Sequence, residues 1–354
     1  LQRVRPGFGN DRCRTPAGDR TLAAMNEPHT THPEPHLPET FDVVVVGGAP
    51  AGLSAALVLT RARRRVVVVD AGEPRNKPAA HMQGFLGSDG LPPTELLAAG
   101  RAEVAGYGGE LVAGTVTAIT PCDGSDRRRG RLFQVLLADG TVLRARRVLV
   151  TTGLHDDVPD VPGVRERWGR DLLHCPYCHG YEVRDQPVGV LGGTSEAVAH
   201  AHLVRQWSPD VVLFTDSSPL TADQREQLVA RGIGTVEEPV ARLVVEGDRL
   251  TGVELDGGRV VPRTALFVRP TFVPHDDLLA GLGCRRHENG WIAVDPTGLT
   301  SVPGVWAAGN TVNPRAQVIT AAGEGSAAAI AINNDLVDED IALAVDRFRL
   351  GMPV

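Results

Sequence analysis

The stretch Phe41-Asp-Val-Val-Val-Val-Gly-Gly-Ala-Pro-Ala-Gly52 decides the fold. Its apolar run, Phe41 to Val46, reads as a buried strand, being short, β-branched and closed by a glycine turn. A helix-like segment, Leu53 to Arg61, follows, and then a second strand, Arg65 to Val69, ending on Asp70. This is a βαβ unit with an acidic residue about twenty positions beyond the glycines. Gly47 permits the tight turn, and Gly52 lets helix and strand pack closely. The helix start offers free N–H groups and a positive dipole end to a pyrophosphate, and Asp70 can accept from a ribose hydroxyl. The middle position of the turn, usually glycine, is Ala49. A βαβ unit that binds nothing is the plain alternative.

The chemistry is concentrated in Leu173-His-Cys-Pro-Tyr-Cys-His-Gly-Tyr-Glu182. Cys175 and Cys178 are close enough to close a small disulfide ring. Pro176 fixes a torsion inside that ring and removes a donor, which pre-shapes the loop. His179 follows directly, and an imidazole beside a dithiol can take a proton from an incoming thiol or favour a thiolate. Cys-x-x-Cys-His is also the attachment signature of a c-type haem, and Cys-x-x-Cys is half of many zinc sites. Cys13, Cys122 and Cys284 stand alone, so no second pair completes a zinc site, and no metal site is expected.

Two further glycine turns frame this loop. Arg147-Val-Leu-Val-Thr-Thr-Gly153 reads as a strand entering a turn. Ser301-Val-Pro-Gly-Val-Trp-Ala-Ala-Gly309 reads as a turn, a short strand and a glycine, followed by Asn310. Pro314 to Ile332 then reads as a helix of small residues with proline in its first turn. Such a helix can point its positive end at the pyrimidine side of a flavin ring. Three glycine turns with a dithiol between the second and third indicate a flavoprotein.

Composition agrees. A chain of 354 residues can hold two domains with full cores, and 42% hydrophobic content with 40 Gly and 26 Pro suits a soluble α/β protein rich in turns. A net charge of −7 without a basic stripe argues against nucleic acid. No apolar run approaches a membrane span, and five cysteines are no disulfide framework, so the cytoplasm is the expected compartment. Residues 1–39, rich in Pro, Arg, His and Thr, lack periodicity and are expected to form a disordered extension, with Met25 a candidate natural start.

From Phe41 to about Leu336 the sequence resembles the low-molecular-weight thioredoxin reductase family of pyridine nucleotide-disulfide oxidoreductases. The resemblance implies an α/β fold of two Rossmann-like domains of three-layer ββα type. A discontinuous FAD-binding domain (40–157 and 287–345) would be interrupted by a second dinucleotide-type domain (158–286) carrying the Cys-x-x-Cys. It further implies that Gly47, Gly48, Ala49, Pro50, Ala51, Gly52 and Asp70 bind the ADP half of FAD. The Val116 region would touch adenine, and Thr152 and Gly153 would close the site. Gly309, Asn310, Ala316, Gln317 and Val318 would hold ribitol and ring. The family has Asp where Asn310 stands and often Arg where Ala316 stands. The run Asp70-Ala71-Gly72-Glu73-Pro74-Arg75-Asn76, followed by His81, suits the subset that includes natural-product dithiol oxidases, in which His81 would approach the flavin.

A second βαβ unit lies in the middle domain: strand Gln186–Leu191, turn Gly192-Gly-Thr-Ser-Glu-Ala197, helix Val198–Gln206 and strand Asp210–Phe214. Thr194 takes the close-approach glycine position. Asp216 stands in Thr215-Asp-Ser-Ser218, where an NADPH enzyme of the family has His-Arg-Arg. Its negative charge would repel a 2′-phosphate. A unit that binds no nucleotide and one that uses NADH both remain open, because Asp216 sits where a ribose-binding carboxylate could sit.

Cys-Pro-aromatic-Cys-His-Gly looks like the dithiol oxidases of gliotoxin and holomycin pathways. That likeness implies a small dithiol substrate, electron passage from Cys178 through FAD to O2 giving hydrogen peroxide, proton removal by His179, and a homodimer. The alternatives are an NADH- or ferredoxin-driven reductase of a thioredoxin-like protein and a non-catalytic redox sensor. His155 and His174 are read as loop polarity, Arg127–Arg129 as a solvated turn, and Cys122 and Cys284 as inert.

Overall fold

The structure is a computed structural model and describes residues 40–122 and 132–352. The expectations for residues 1–39, including Met25 and Cys13, and for Arg127–Arg129 fall outside the described residues.

The valine-rich strand forms over Thr40–Val46. It lies at the middle of the first sheet, hydrogen-bonded in parallel to Val66–Asp70 on one side and to Val142–Val150 on the other. The sheet continues outward to Glu110–Ala113 beyond the former and, antiparallel, to Leu132–Leu137 and Val116–Cys122 beyond the latter. Val305–Ala307 returns from far along the chain to pair with Val148–Val150. Side chains alternate across a strand, so Val43 and Val45 pack with helices Pro50–Arg61, Pro93–Gly106 and Val318–Arg349. Val44 and Val46 enter the opposite layer with Phe133, Ile119 and Leu279. Each fully buried valine contributes about 1.5–3 kcal/mol relative to exposure. Leu279 and Cys284 pack in this layer, ahead of the 286/287 division drawn from the sequence.

The second sheet repeats the plan. Its five strands run in the order Ile233–Val236, Val211–Phe214, Val188–Leu191, Ala265–Val268, Leu172–Leu173, all parallel. Val190, Leu213 and Phe267 face helices Ser195–Val204 and Ala222–Ala230. Phe214 and Leu266 face a three-stranded antiparallel sheet through Leu243, Val253 and Leu255. Both sheets have helices on one face; on the other, the second sheet carries a separate antiparallel sheet, and the first packs against side chains of its own antiparallel strands and of Leu279 and Ile292. Leu154–Asp157 and Thr271–Pro274 pair antiparallel as a ribbon between the two sheets.

The helix expected over Val198–Gln206 forms over Ser195–Val204, and the last helix differs more. The helix read over Pro314–Ile332 starts at Val318 and runs 32 residues to Arg349. The Asn310 side-chain amide donates to the carbonyls of Asn313 and Ala316, at 2.9 and 3.0 Å, and ties residues 313–316 into a turn. The far end persists because Glu339 pairs with Arg147 of the first sheet, at 2.7 Å, and Asp340 with Arg64 of the loop leading into Val66–Asp70, at 2.8 Å.

Candidate active site

A cavity of about 1220 Å³ opens at the carboxyl ends of the first sheet's strands. It exceeds the 300–1,000 Å³ typical of small-ligand pockets, so a dinucleotide has room. Of the cofactor residues expected from the sequence, all but Gly52 and Gly72 line it. The first turn supplies Gly47, Gly48, Ala49, Pro50 and Ala51; the loop after the second strand supplies Asp70, Ala71, Arg75, Asn76 and His81. Val116, Thr152 and Gly153 come from the sheet edge and its central turn, and Gly309, Asn310, Ala316, Gln317 and Val318 from the approach to the long helix.

At Gly47 and Gly52 the backbone of the first turn admits nothing larger than glycine, and at Gly48 a Cβ would meet the Asp70 side chain. A Cβ on Gly52 would lie 1.9 Å from the Gly47 carbonyl oxygen, and one on Gly48 2.7 Å from the Asp70 carboxylate. Gly52 thus acts from beneath the cavity, as a packing contact. Gly72 donates its N–H to Asp70 Oδ1 at 3.3 Å. Helices Pro50–Arg61 and Val318–Arg349, whose first turns face the cavity, both begin without a side-chain cap, at Ala49 and Gln317. Their first N–H groups can therefore serve an anion. Tight turn, acidic residue, uncapped helix starts and cavity size all fit the ADP and flavin halves of FAD.

Several supporting residues gave no sequence signal. Arg101 pairs with Asp70 at 2.9 Å and holds its carboxylate at the cavity edge. The Thr151 hydroxyl donates to the Val46 and Gly47 carbonyls, each at 3.0 Å, fixing the first turn against the central strand. Glu324 accepts from the Gly309 N–H at 2.9 Å and from the Asn313 amide at 2.6 Å. Arg75 is gripped on two sides by Asp156, at 2.6 and 2.8 Å, donates to Asn310 Oδ1 at 3.2 Å, and lies over the Phe272 ring at 5.1 Å. Each partner is remote in sequence, so local pattern carries no trace of the pairing.

The dithiol forms another wall of the same cavity. Cys175 and Cys178 are joined as a disulfide with Cα atoms 5.2 Å apart. Cys175 precedes the one-turn helix Pro176–His179, and the Cys178 N–H donates to Cys175 Sγ at 3.2 Å. That donor favours negative charge on Cys175 sulfur once the ring opens. Tyr177, largely exposed, meets the Trp207 ring edge-on at 5.5 Å. Burial pushes the His179 imidazole below its usual pKa of 6.5, with Glu182 pulling it back up.

His174 and His200 lie behind the dithiol, their rings 5.9 Å apart. Burial, with the charges of His174 and Arg269, pushes His200 down to about 4. Its ring is therefore neutral near pH 7, and its Nδ1 is buried without a hydrogen-bond partner among the described residues. The second glycine turn is arranged differently from the first. A Cβ on Gly193 would lie 2.0 Å from Ser218 Cβ, Thr194 caps its helix by accepting from the Ala197 N–H at 3.3 Å, and Asp216 accepts from the Val240 N–H at 2.9 Å.

A dinucleotide cradle and a redox disulfide in one cavity define a flavin-dependent disulfide oxidoreductase. The chain belongs to the pyridine nucleotide-disulphide oxidoreductase family, whose pattern matches residues 41–325, and its cofactor is FAD. It is 30% identical over 321 residues to thioredoxin reductase sirT of Leptosphaeria maculans, covering 86% of this chain and 97% of that protein. Thioredoxin reductase aclD of Aspergillus oryzae is 30% identical over 316 residues, covering 85% and 98%. The crystal structure of HlmI is 58% identical with a TM-score of 0.85, covering 88% of this chain and 97% of that one. No helix among the described residues is long and apolar enough to cross a membrane.

Proposed function

We propose that this protein is an FAD-dependent dithiol oxidase. It closes an intramolecular disulfide in a small natural-product dithiol of dithiolopyrrolone type, with O2 as acceptor and hydrogen peroxide as by-product. The observation that carries the reading is the placement of the Cys175–Cys178 disulfide in the wall of the cavity that holds the cofactor cradle. The 58% identity to HlmI supports it. So does the second glycine turn, where Ser218 packs against Gly193 and Asp216 is tied to Val240, in place of a basic 2′-phosphate pocket.

His179, neutral near pH 7, removes a proton from the first substrate thiol. The thiolate attacks Cys175 Sγ, the Cys175–Cys178 bond breaks, and Cys178 leaves as a thiolate. The second substrate thiol attacks the substrate sulfur of this mixed disulfide and expels Cys175 as a thiolate, which the Cys178 N–H stabilises. Cyclic disulfide departs, leaving two electrons and two protons on the cysteine pair. FAD, when bound at Gly47–Gly52, Asp70 and the Gly309–Val318 approach, supplies an acceptor for that pair and a donor to O2. The balance is one dithiol and one O2 giving one cyclic disulfide and one H2O2. The proposal includes the two-domain division with a discontinuous FAD domain, a cytoplasmic setting and a homodimer. Exposed Ile330, Val337, Ile341 and Phe348 on the long helix support the homodimer.

Protein supplied with reduced holomycin in air, without nicotinamide, should consume one O2 per disulfide formed. No peroxide and a flavin that stays oxidised would overturn the reading, as would rapid bleaching by NADPH. Flavin bleaching by NADH would instead favour a reductase. His179→Ala should lower kcat/KM by about 10²-fold while FAD stays bound. Because His179 is depressed below 6.5 and works as the neutral base, activity should fall with acid only below pH 6.5. That acid limb should disappear in the variant; a limb unchanged there removes His179 from the mechanism.

A further inference from the structure

The ribbon of Leu154–Asp157 and Thr271–Pro274 carries two imidazoles that the dithiol chemistry does not use. His155 lies on the first strand, opposite Val273, and His275 directly follows the second. His155 Nδ1 and His275 Nε2 are 3.1 Å apart, and the rings stack with centroids 5.2 Å apart and planes inclined by 25°. The other nitrogen of His275, Nδ1, lies 3.1 Å from the Thr152 carbonyl oxygen. A carbonyl oxygen only accepts, so this nitrogen carries the proton, and Nε2 of the neutral ring is a bare lone pair. A metal-ligating histidine is held in the same way, one nitrogen donating to a carbonyl and the other turned to the ion.

The spacing agrees. Two Zn–N bonds of 2.0–2.1 Å at a tetrahedral angle put their nitrogens about 3.3–3.4 Å apart. The nitrogens need to part by only a few tenths of an ångström and the rings to turn until both lone pairs meet the ion, and both side chains are exposed. Without metal, His155 donates its Nδ1–H to His275. With metal, His155 takes the Nε2–H tautomer, so the exchange leaves net protonation unchanged. The two carboxylates adjacent in sequence are committed: Asp156 to Arg75 at 2.6 Å and Asp276 to Arg286 at 2.6 Å. Among the described residues no group of three or more His, Cys, Asp or Glu gathers in a way that could hold a metal ion.

We propose that His155 and His275 form a two-imidazole site for a borderline divalent cation, Zn²⁺, Ni²⁺ or Cu²⁺, completed by water. Nitrogen ligands exclude Mg²⁺ and Ca²⁺, which require oxygen. The ion cross-links strands 120 positions apart in sequence, at the wall of the cavity that His275 lines. The site stands independently of the oxidase reading.

The test uses the full-length, FAD-loaded protein with its disulfide closed and no dithiol present, since thiolates bind zinc themselves. Calorimetric titration with Zn²⁺ should show one equivalent more for the wild type than for His155→Ala or His155→Gln. Zinc should raise the melting temperature of the wild type, and that increment should be lost in both variants. Zinc held by His29, His32 and His36 or by free thiols would be common to all three proteins and cancel. Equal stoichiometry and equal thermal response in wild type and variants would overturn the site. So would an equal response to Mg²⁺, or an equivalent lost only on Cys175→Ser/Cys178→Ser.

Discussion

Cys178→Ser should abolish dithiol oxidation, by about three orders of magnitude or more, while the protein remains yellow. With one sulfur gone no ring can close, so the electron pair has no resting place between substrate and flavin. The two single substitutions should also differ from each other. In Cys178→Ser the Cys175 thiol remains, beside the Cys178 N–H position that favours its thiolate. An excess of a linear disulfide, whose released half cannot close a ring and expel the cysteine, should then leave an adduct on Cys175, seen as a mass increase that dithiothreitol reverses. Cys175→Ser should be equally inactive but resist such trapping. Turnover within tenfold of wild type in either variant would show that the pair does not carry the electrons. An adduct on Cys178 alone would reverse the assigned order of attack.

The second large effect concerns packing. Gly325→Ala should destabilise the protein by about 3 kcal/mol and strip it of FAD. A Cβ there would lie 2.0 Å from the Ala51 carbonyl oxygen, where the long helix crosses the helix that starts at the glycine turn. Relief requires moving the backbone of Ala51, a residue that lines the cavity. Gly323 is the internal control, because a Cβ there meets nothing within 4 Å. Gly323→Ala should stabilise by about 0.5–1 kcal/mol through helix propensity alone. Chemical denaturation with flavin absorbance reads both variants, and similar midpoints would show that the helix crossing does not govern stability.

The sequence was most legible where function and fold use the same local pattern. The valine run, glycine turn and Asp70 pointed at once to a strand, a helix start and residues that line one cavity, because each feature constrains backbone within a few residues. The Cys-x-x-Cys loop was legible for the same reason. What escaped was held by distant partners. Arg101 on Asp70, Asp156 on Arg75 and Glu324 beneath Gly309 are pairings that only the tertiary fold makes. The helix start at Val318 escaped because Asn310 competes for the carbonyls of Asn313 and Ala316, a contact that proline placement does not reveal. His200 drew no reading from the sequence, because only tertiary burial leaves its Nδ1 without a partner among the described residues.

The ribbon has a consequence for modular engineering. Asp157 and Thr271 face each other as paired residues, so the whole intervening segment departs and returns through one doorway. A short turn bridging those two positions would excise it without stretching the host backbone, and a foreign module with adjacent termini could be spliced in its place. The host would keep its first glycine turn but lose the cavity walls that Cys175, Cys178 and Arg269 provide. Such a graft would uncouple cofactor capture from sulfur chemistry in a single chain.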